Sequence, residues 1–576
     1  MSEKKKTKKV ALAGFGGVDH TGRHCDVFSA RNIENFRILN DGSLEKRSGY
    51  RPIAYLGYPI RAVYGCNVSG EYKLFVLIAD SVYTIDSEGH ISPSIGSVGT
   101  VEGSACFFFF RQRLYLIDGE EFYEYTGEGF TAVSGYVPLV AKDWTNSLIG
   151  EVNEPRNILT RHARATYIIS DPPSVFMCVG EPVESVEAVY VNDALMPEDV
   201  YSISDRFNTI NVKGLYAGDR VEIHFTYRNG FDALFKRLCA STSSALFGGI
   251  GSNRLFLCGS SGSGTVFCTK NVSAADLAAS QAHYPESGSL YFPIGYEFDA
   301  GDGIAQVQAI VRQYERLVIF TENDVWMVTP DEEGGDIAST TSVNGRIGCP
   351  ASMGAALSDN QPVSIGYRSV FSWSTGSSSK CDAVNISHPI DSELGEEFLR
   401  SCGIFYDVTR NELWLYSKVL PLIWIYNTSR KAWYKFTGIR ADYVLDLNGS
   451  VAFIKDGCLY LFDNGCDRDT DLIDGTEVAH AVTAVYSTNH SDLGAFGNKN
   501  LSAIILSADL GDEELSVDIE AYPDRMREYT VYSSDAGDHS DIRLRCPMER
   551  LDRASVSITA CGLGRPKIHS LTLETR

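Results

Sequence analysis

A short hairpin pattern recurs along this chain, and it limits the folds open to the chain more than any other feature. In residues 314–329, YERLVIFTENDVWMVT, the stretch 316–320 reads as a buried strand, Glu322-Asn323-Asp324 as a tight polar turn and 325–329 as the returning strand. The same plan appears at 73–79 with 82–85, at 113–117 with 121–125, at 411–416 with 422–426, and at 451–455 with 458–462. A single hairpin is marginal in water, so repeated hairpins must bury their faces against one another. Repetition of this kind predicts an all-β chain whose main body is a β-propeller.

Elsewhere the pattern changes. Between 136 and 235, the segments 185–191, 200–203, 209–212 and 220–227 alternate apolar with polar residues, with turns at Asn192-Asp193, Asn208 and Gly218-Asp219. This predicts a small β-sandwich inserted between blades. Six alternating segments in the last stretch of about 100 residues predict a C-terminal β-sandwich with one solvated face. Helical spacing is rare; 231–246 and 274–282 carry it, and both read as connectors packed on the propeller. The predicted division is a mobile basic arm at 1–30, carrying Lys4, Lys5, Lys6, Lys8 and Lys9; an N-terminal hairpin and first blades at 31–135; the inserted sandwich at 136–235; the remaining blades at 236–470; and the terminal sandwich at 471–576.

Charge narrows the function. Against 51 Lys and Arg stand 74 Asp and Glu, a net charge of −23. That argues against a basic face that grips nucleic acid, while leaving room for a surface past which DNA slides. No apolar run approaches the ~18 residues of a membrane helix, and the opening MSEKKKTKKV has no apolar segment behind its lysines, so neither a membrane span nor a secretory signal is expected. The 14 cysteines form no Cys-x-x-Cys pair, and Cys106, Cys258 and Cys458 lie within apolar runs. They read as free thiols acting as small apolar residues.

Three partial motifs carry chemistry only on paper. Asp467-x-Asp469-x-Asp471 begins like a calcium loop, but Leu472 replaces the turn glycine and Val478 the bidentate Glu, so it reads as a solvated acidic linker. Ser533-x-Asp535-x-Gly537 begins like a sialidase Asp-box, yet Ser540 stands in place of the closing aromatic. His20-x3-His24-Cys25 offers ligands without a fourth partner. No nucleotide-binding, zinc-protease or nucleophile-elbow signature is present, and among 74 acids nothing selects a glycosidase pair. No catalytic, cofactor or metal residue is predicted.

The segment 34–50 is more telling. Glu34-Asn35-Phe36, then Asp41-Gly42-Ser43-Leu44-Glu45-Lys46-Arg47-x-Gly49-Tyr50, reads as a hairpin around Asn40-Asp41-Gly42 with a Gly49-Tyr50 exit. It resembles the opening of tail nozzle proteins of short-tailed bacteriophages, the group also described as tail tubular protein B or packaged-DNA stabilisation proteins, with Ser48 where that pattern has Pro. Asn157 to Arg161, Ser252 to Gly259, Tyr291-Phe292-Pro293, Phe298 to Gly303 and Phe496-Gly497-x-Lys499 are similar to nozzle sequences in the same order.

The resemblance implies a structural virion protein, not an enzyme, made in the host bacterial cytoplasm. It implies a homo-oligomeric ring of six subunits below the portal and adaptor, contacting tail fibres or other tail proteins. Its channel would retain packaged double-stranded DNA and then conduct it without sequence-specific binding. Asn35, Phe36, Arg47 and Tyr50 are the candidate assembly contacts, and the residues of the DNA gate are not legible. Two other readings fit a propeller: a lectin-like host-surface adhesin, and a glycosidase with acids and aromatics clustered at one propeller mouth.

Overall fold

The structure, a computed structural model, describes residues 8–21, 29–68, 70–145, 152–170, 174–177, 181–204, 209–248, 253–330, 337–375, 381–492, 497–511, 513–522, 525–531 and 540–575. The protein is an all-β propeller with an inserted small sandwich and a C-terminal sandwich. Two compact units are distinguished, one of 1–78, 83–93 and 347–576, the other of 79–82 and 94–346.

In the first unit, the blades are antiparallel sheets of four strands. Ala355–Ser358, Gln361–Ile365, Val370–Thr375 and Cys381–Asn385 form one, and Cys402–Asp407, Glu412–Ser417, Leu422–Asn427 and Ala432–Thr437 another. A third takes Tyr443–Leu447, Ser450–Lys455 and Cys458–Phe462 from late in the chain and its outer strand, Tyr50–Tyr55, from early in it. Every residue of Glu412–Ser417 is buried, because a middle blade strand is covered on both faces. A strand of that kind reads as a continuous apolar run, not as an alternation.

The terminal sandwich is not made of C-terminal residues alone. Ala30–Glu34 pairs antiparallel with Ala484–Thr488 and, at Glu34 and Lys435, parallel with the edge of a blade. Blade and sandwich thereby share one nine-stranded sheet, continued by Arg553–Ala560, Leu515–Tyr522 and Arg525–Val531. The facing sheet runs Phe36–Ile38, Leu44–Lys46, Lys567–Thr575, Lys499–Asp509, Ser540–Leu551. Lys499–Asp509 alternates buried with half-buried residues, as a strand with one core face should.

Several expectations are corrected here. Lys8–Ala13, assigned to a mobile arm, is a strand paired in register with Lys567–Thr575, and Phe15 and Val18 behind it are buried; Lys4, Lys5 and Lys6 lie outside the described residues. The expected N-terminal hairpin forms, Phe36–Ile38 against Leu44–Lys46, but with Ala30–Glu34 it is built into the terminal sandwich and not grouped with the first blades. The acidic linker is a hairpin, Arg468–Ile473 with Thr476–Ala481. Helical spacing at 231–246 holds only over Asp232–Cys239, and Ser243–Phe247 is a blade strand whose pairing with Arg254–Cys258 outweighs local propensity.

The second unit carries the blades Cys106–Phe110 through Phe130–Ala132, Ser243–Phe247 through Phe298–Asp299, and Val307–Gln313 through Ile337–Asn344. The hairpin of 316–329 is the centre of the last of these, Arg316–Thr321 against Val325–Pro330. Its inserted domain is a five-stranded sheet, ordered Leu139–Thr145, His162–Ile168, Arg220–Tyr227, Val183–Val191 and Ala194–Leu195. A three-stranded sheet of Ser174–Met177, Thr209–Val212 and Tyr201–Ser204 accompanies it. Val189, Ile210, Val221, Ile223 and Phe225 form its own core. Among the described residues no helix is long and apolar enough to cross a membrane.

Candidate functional site

The segment 34–50 lies within the first unit, and all four predicted contacts on it are interior. Asn35, Phe36, Arg47 and Tyr50 are 5, 0, 3 and 2% exposed. A contact with another chain needs accessible atoms, so in this chain the four side chains hold internal structure instead.

Asn35 follows the strand Ala30–Glu34 in the left-handed region, φ 55°, a conformation that Asn tolerates better than most residues. That turn frees both ends of its amide. Nδ2 donates to Thr437 Oγ1 at 3.0 Å and to the Thr483 carbonyl at 2.8 Å, while Oδ1 accepts from Arg47 Nε at 2.9 Å and from the Thr437 amide at 3.1 Å. One side chain thus ties the hairpin, a blade and the entry to the terminal sandwich.

Three further N–H groups of Arg47 donate to Asp469, at 2.7 and 2.6 Å, and to the Ser48 carbonyl at 3.0 Å, with the guanidinium 5.5 Å from the centre of the Phe436 ring. The ring of Tyr50 stands edge-on to Phe453, Tyr460 and Phe462. Its hydroxyl reaches Asp471 at 3.1 Å, and Lys455 Nζ lies 2.9 Å from that carboxylate. Burial, reinforced by the charge of Asp469, pushes the Tyr50 hydroxyl well above its ordinary range. Two carboxylates of the calcium-like Asp-x-Asp-x-Asp run are therefore occupied by cations of the chain.

Beside this tie lies a polar cavity of about 370 Å³ lined by Arg37, Glu45, Arg410, Glu412, Asn427 and Arg565. Arg37 Nη1 meets Glu412 Oε2 at 2.6 Å, Trp414 Nε1 donates to the same oxygen at 3.2 Å, and the Tyr434 hydroxyl donates to Oε1 at 2.6 Å. Burial pulls the Arg37 guanidinium down most strongly of any one cause, but Glu412, Tyr434, Asp407 and Glu45 together raise it above its ordinary value. Three such bonds hold the Glu412 carboxylate in one orientation, so this arrangement fixes geometry. Sequence reasoning missed Arg37 and Glu412. The available signal was an acid opening the otherwise uncharged buried run ELWLYS, which has to find a partner inside.

The remaining candidates separate. His20 Nε2 pairs with Glu393 at 3.1 Å, whereas His24 and Cys25 lie outside the described residues, as do Ser533, Asp535, Gly537 and Phe496. Among the described residues, Glu222, His224 and His283 bring one potential metal-ligand atom each within 4.8 Å of one another. Nothing in the sequence reading selected them, because His283 is 59 positions from His224 and follows a helix.

No protein-family model matches the sequence, and no curated protein matches it. Solved structures align only distantly. The WD40 domain of Pan2 from Neurospora crassa is 6% identical, covering 73% of this chain and 97% of its own, with a TM-score of 0.35. The AfRom2 CNH domain is 8% identical over 72% and 99% of the two chains, TM-score 0.35. An exo-β-1,3-galactanase from Phanerochaete chrysosporium is 9% identical over 92% and 100%, TM-score 0.22.

Proposed function

We propose that this chain is a structural component of a short-tailed phage virion, a tail nozzle protein that retains packaged DNA and conducts it on ejection. The observation that carries the reading is the fate of the resembling segment. Asn35, Arg47, Gly49 and Tyr50 are spent on joining the start of the chain to the blade that ends at Thr437 and to the hairpin region that follows the last blade, a role in architecture and not in chemistry. The net charge of −23 suits a conduit, since a carboxylate-lined lumen repels phosphates and lets a duplex pass without the cationic contacts that would hold it. In this reading six copies form a ring below the portal and adaptor, and the four motif residues stabilise each protomer. Contacts with neighbouring tail proteins then fall to other, exposed residues.

The test is quantitative mass spectrometry of purified, DNA-filled particles, counting this chain against the portal protein. A ratio near one to two is expected for a six-fold ring under a twelve-fold portal. Absence from particles overturns the proposal, and glycan binding or glycan cleavage by the isolated chain would then mark an adhesin or a glycosidase.

A further inference from the structure

The geometry points to a site for a divalent transition-metal ion, zinc by its ligand set, formed by Glu222, His224 and His283 on the inserted domain and the helical connector beside it. Along Arg220–Tyr227, Val221, Ile223 and Phe225 are fully buried in the domain core, so Glu222 and His224, two residues apart, point together to the opposite face. On that face the turn after the helix Ala274–Gln281 brings His283 in, its ring edge-on to His224 with centroids 4.3 Å apart.

Both imidazoles direct Nε2 at one atom. His224 Nε2 is 3.0 Å from Glu222 Oε1, and His283 Nε2 is 4.0 Å from the same oxygen, beyond hydrogen-bond reach. In a tetrahedral zinc site with bonds of about 2.0–2.2 Å, ligand atoms stand about 3.3 Å apart. His283 closes the difference by a small movement of an exposed turn. Two imidazoles and one carboxylate leave the fourth position to water, and the His283 side chain, 27% exposed, opens the way to solvent.

The surroundings hold the two rings in place. Tyr190 lies 4.8 Å from His283 and 5.4 Å from His224, and Tyr284 stacks on His224 at 5.5 Å. The Tyr284 hydroxyl donates to Glu187 at 2.6 Å, which anchors the turn. Arg164, directly opposite His224 on the neighbouring strand, is the fixed positive charge the ion must tolerate, and the Glu222 carboxylate offsets it. A bound ion would pin the inserted domain to the connector. This inference is independent of the nozzle reading.

The test is equilibrium dialysis of the chelator-stripped full chain against zinc, with Co²⁺ substitution as a spectroscopic probe. The expected result is one tight ion per chain and the visible bands of tetrahedral Co²⁺ with nitrogen and oxygen ligands. His283→Ala, at an exposed turn, should weaken binding by more than ~100-fold, exceeding the effect of losing an outer-shell partner. His224→Gln should do the same. The inference is overturned if His283→Ala binds as the parent does, if no saturable ion binds, or if Co²⁺ shows thiolate charge-transfer bands, which would place the metal on cysteines.

Discussion

The guanidinium of Arg47 and the carboxylate of Asp469 meet in two parallel hydrogen bonds of 2.7 and 2.6 Å, across 422 positions of sequence. Arg47 is 2% and Asp469 14% exposed at the side chain, so the pair forms where water contributes little. This contact fastens the N-terminal hairpin to the one that follows the last blade.

Removing one partner leaves a buried charge uncompensated. Arg47→Ala is expected to cost about 3–5 kcal/mol, and the joint change Arg47→Met with Asp469→Leu distinctly less, since an apolar pair carries no desolvation debt. Arg47→Lys should fall between, keeping the charge and losing the planar fork. Urea unfolding of the four proteins checks the order. Equal losses in the single and joint variants would show that the charge pair is not the source of the effect.

Gly49 explains itself by space. A Cβ there would come 1.9 Å from the Arg468 carbonyl oxygen, while the Gly49 amide donates to Cys466 at 2.8 Å, so the strand cannot back away without losing that bond. Gly49→Ala is expected to destabilise by about 3 kcal/mol or more, through backbone displacement. Gly395→Ala, with open space at its Cβ, should cost less than about 1 kcal/mol. Thermal unfolding of both variants decides it, and similar losses would refute the steric account.

The contribution of Tyr50 divides between its ring and its hydroxyl. Tyr50→Phe keeps the edge-on contacts and loses one bond to Asp471, an expected cost of about 1 kcal/mol. Tyr50→Ala empties the space among Phe453, Tyr460 and Phe462, an expected cost of about 3–5 kcal/mol. If unfolding midpoints of the two variants coincide, the hydroxyl and not the ring does the holding.

Asp41 gives the hairpin a response to acid. Hydrogen bonds from the Ser43 hydroxyl and amide, against a burial effect of opposite sign, and the ion pair with Lys567 hold its carboxyl down to about 2, from 3.8. A depressed carboxyl contributes stability that is fully present above its unfolded value and is lost as pH falls through the folded one. The loss is therefore expected between about pH 4 and pH 2. Asp41→Asn should flatten the melting-temperature profile in that window and leave its shape near neutrality unchanged; an unaltered acid limb would assign the acid sensitivity to other groups.

How much of this was legible depended on how local each cause is. The strand Arg316–Thr321 announced itself because covered faces demand apolar residues. The Asn40-Asp41-Gly42 turn announced itself because its backbone favours those residues, Gly42 having φ 86°. The fate of Lys8–Ala13 did not, since six residues of mixed character become a strand only when Lys567–Thr575 lies alongside. The same holds for Asp469 and Asp471. Three alternating acids look solvated or calcium-binding until Arg47, Tyr50 and Lys455 are brought to them.

The sequence by itself determined the repeating hairpins, the all-β class, the inserted and terminal alternating segments and the acidity, because each is set by the order of residues within a few positions. Tertiary structure alone decided that 30–46 completes the terminal sandwich, that Tyr50–Tyr55 completes the last blade, and that Asn35, Phe36, Arg47 and Tyr50 face inward. It also decided that His283 meets Glu222 and His224. Those outcomes rest on pairings between distant stretches, where strand edges and buried charges accept the partner that the rest of the chain leaves beside them.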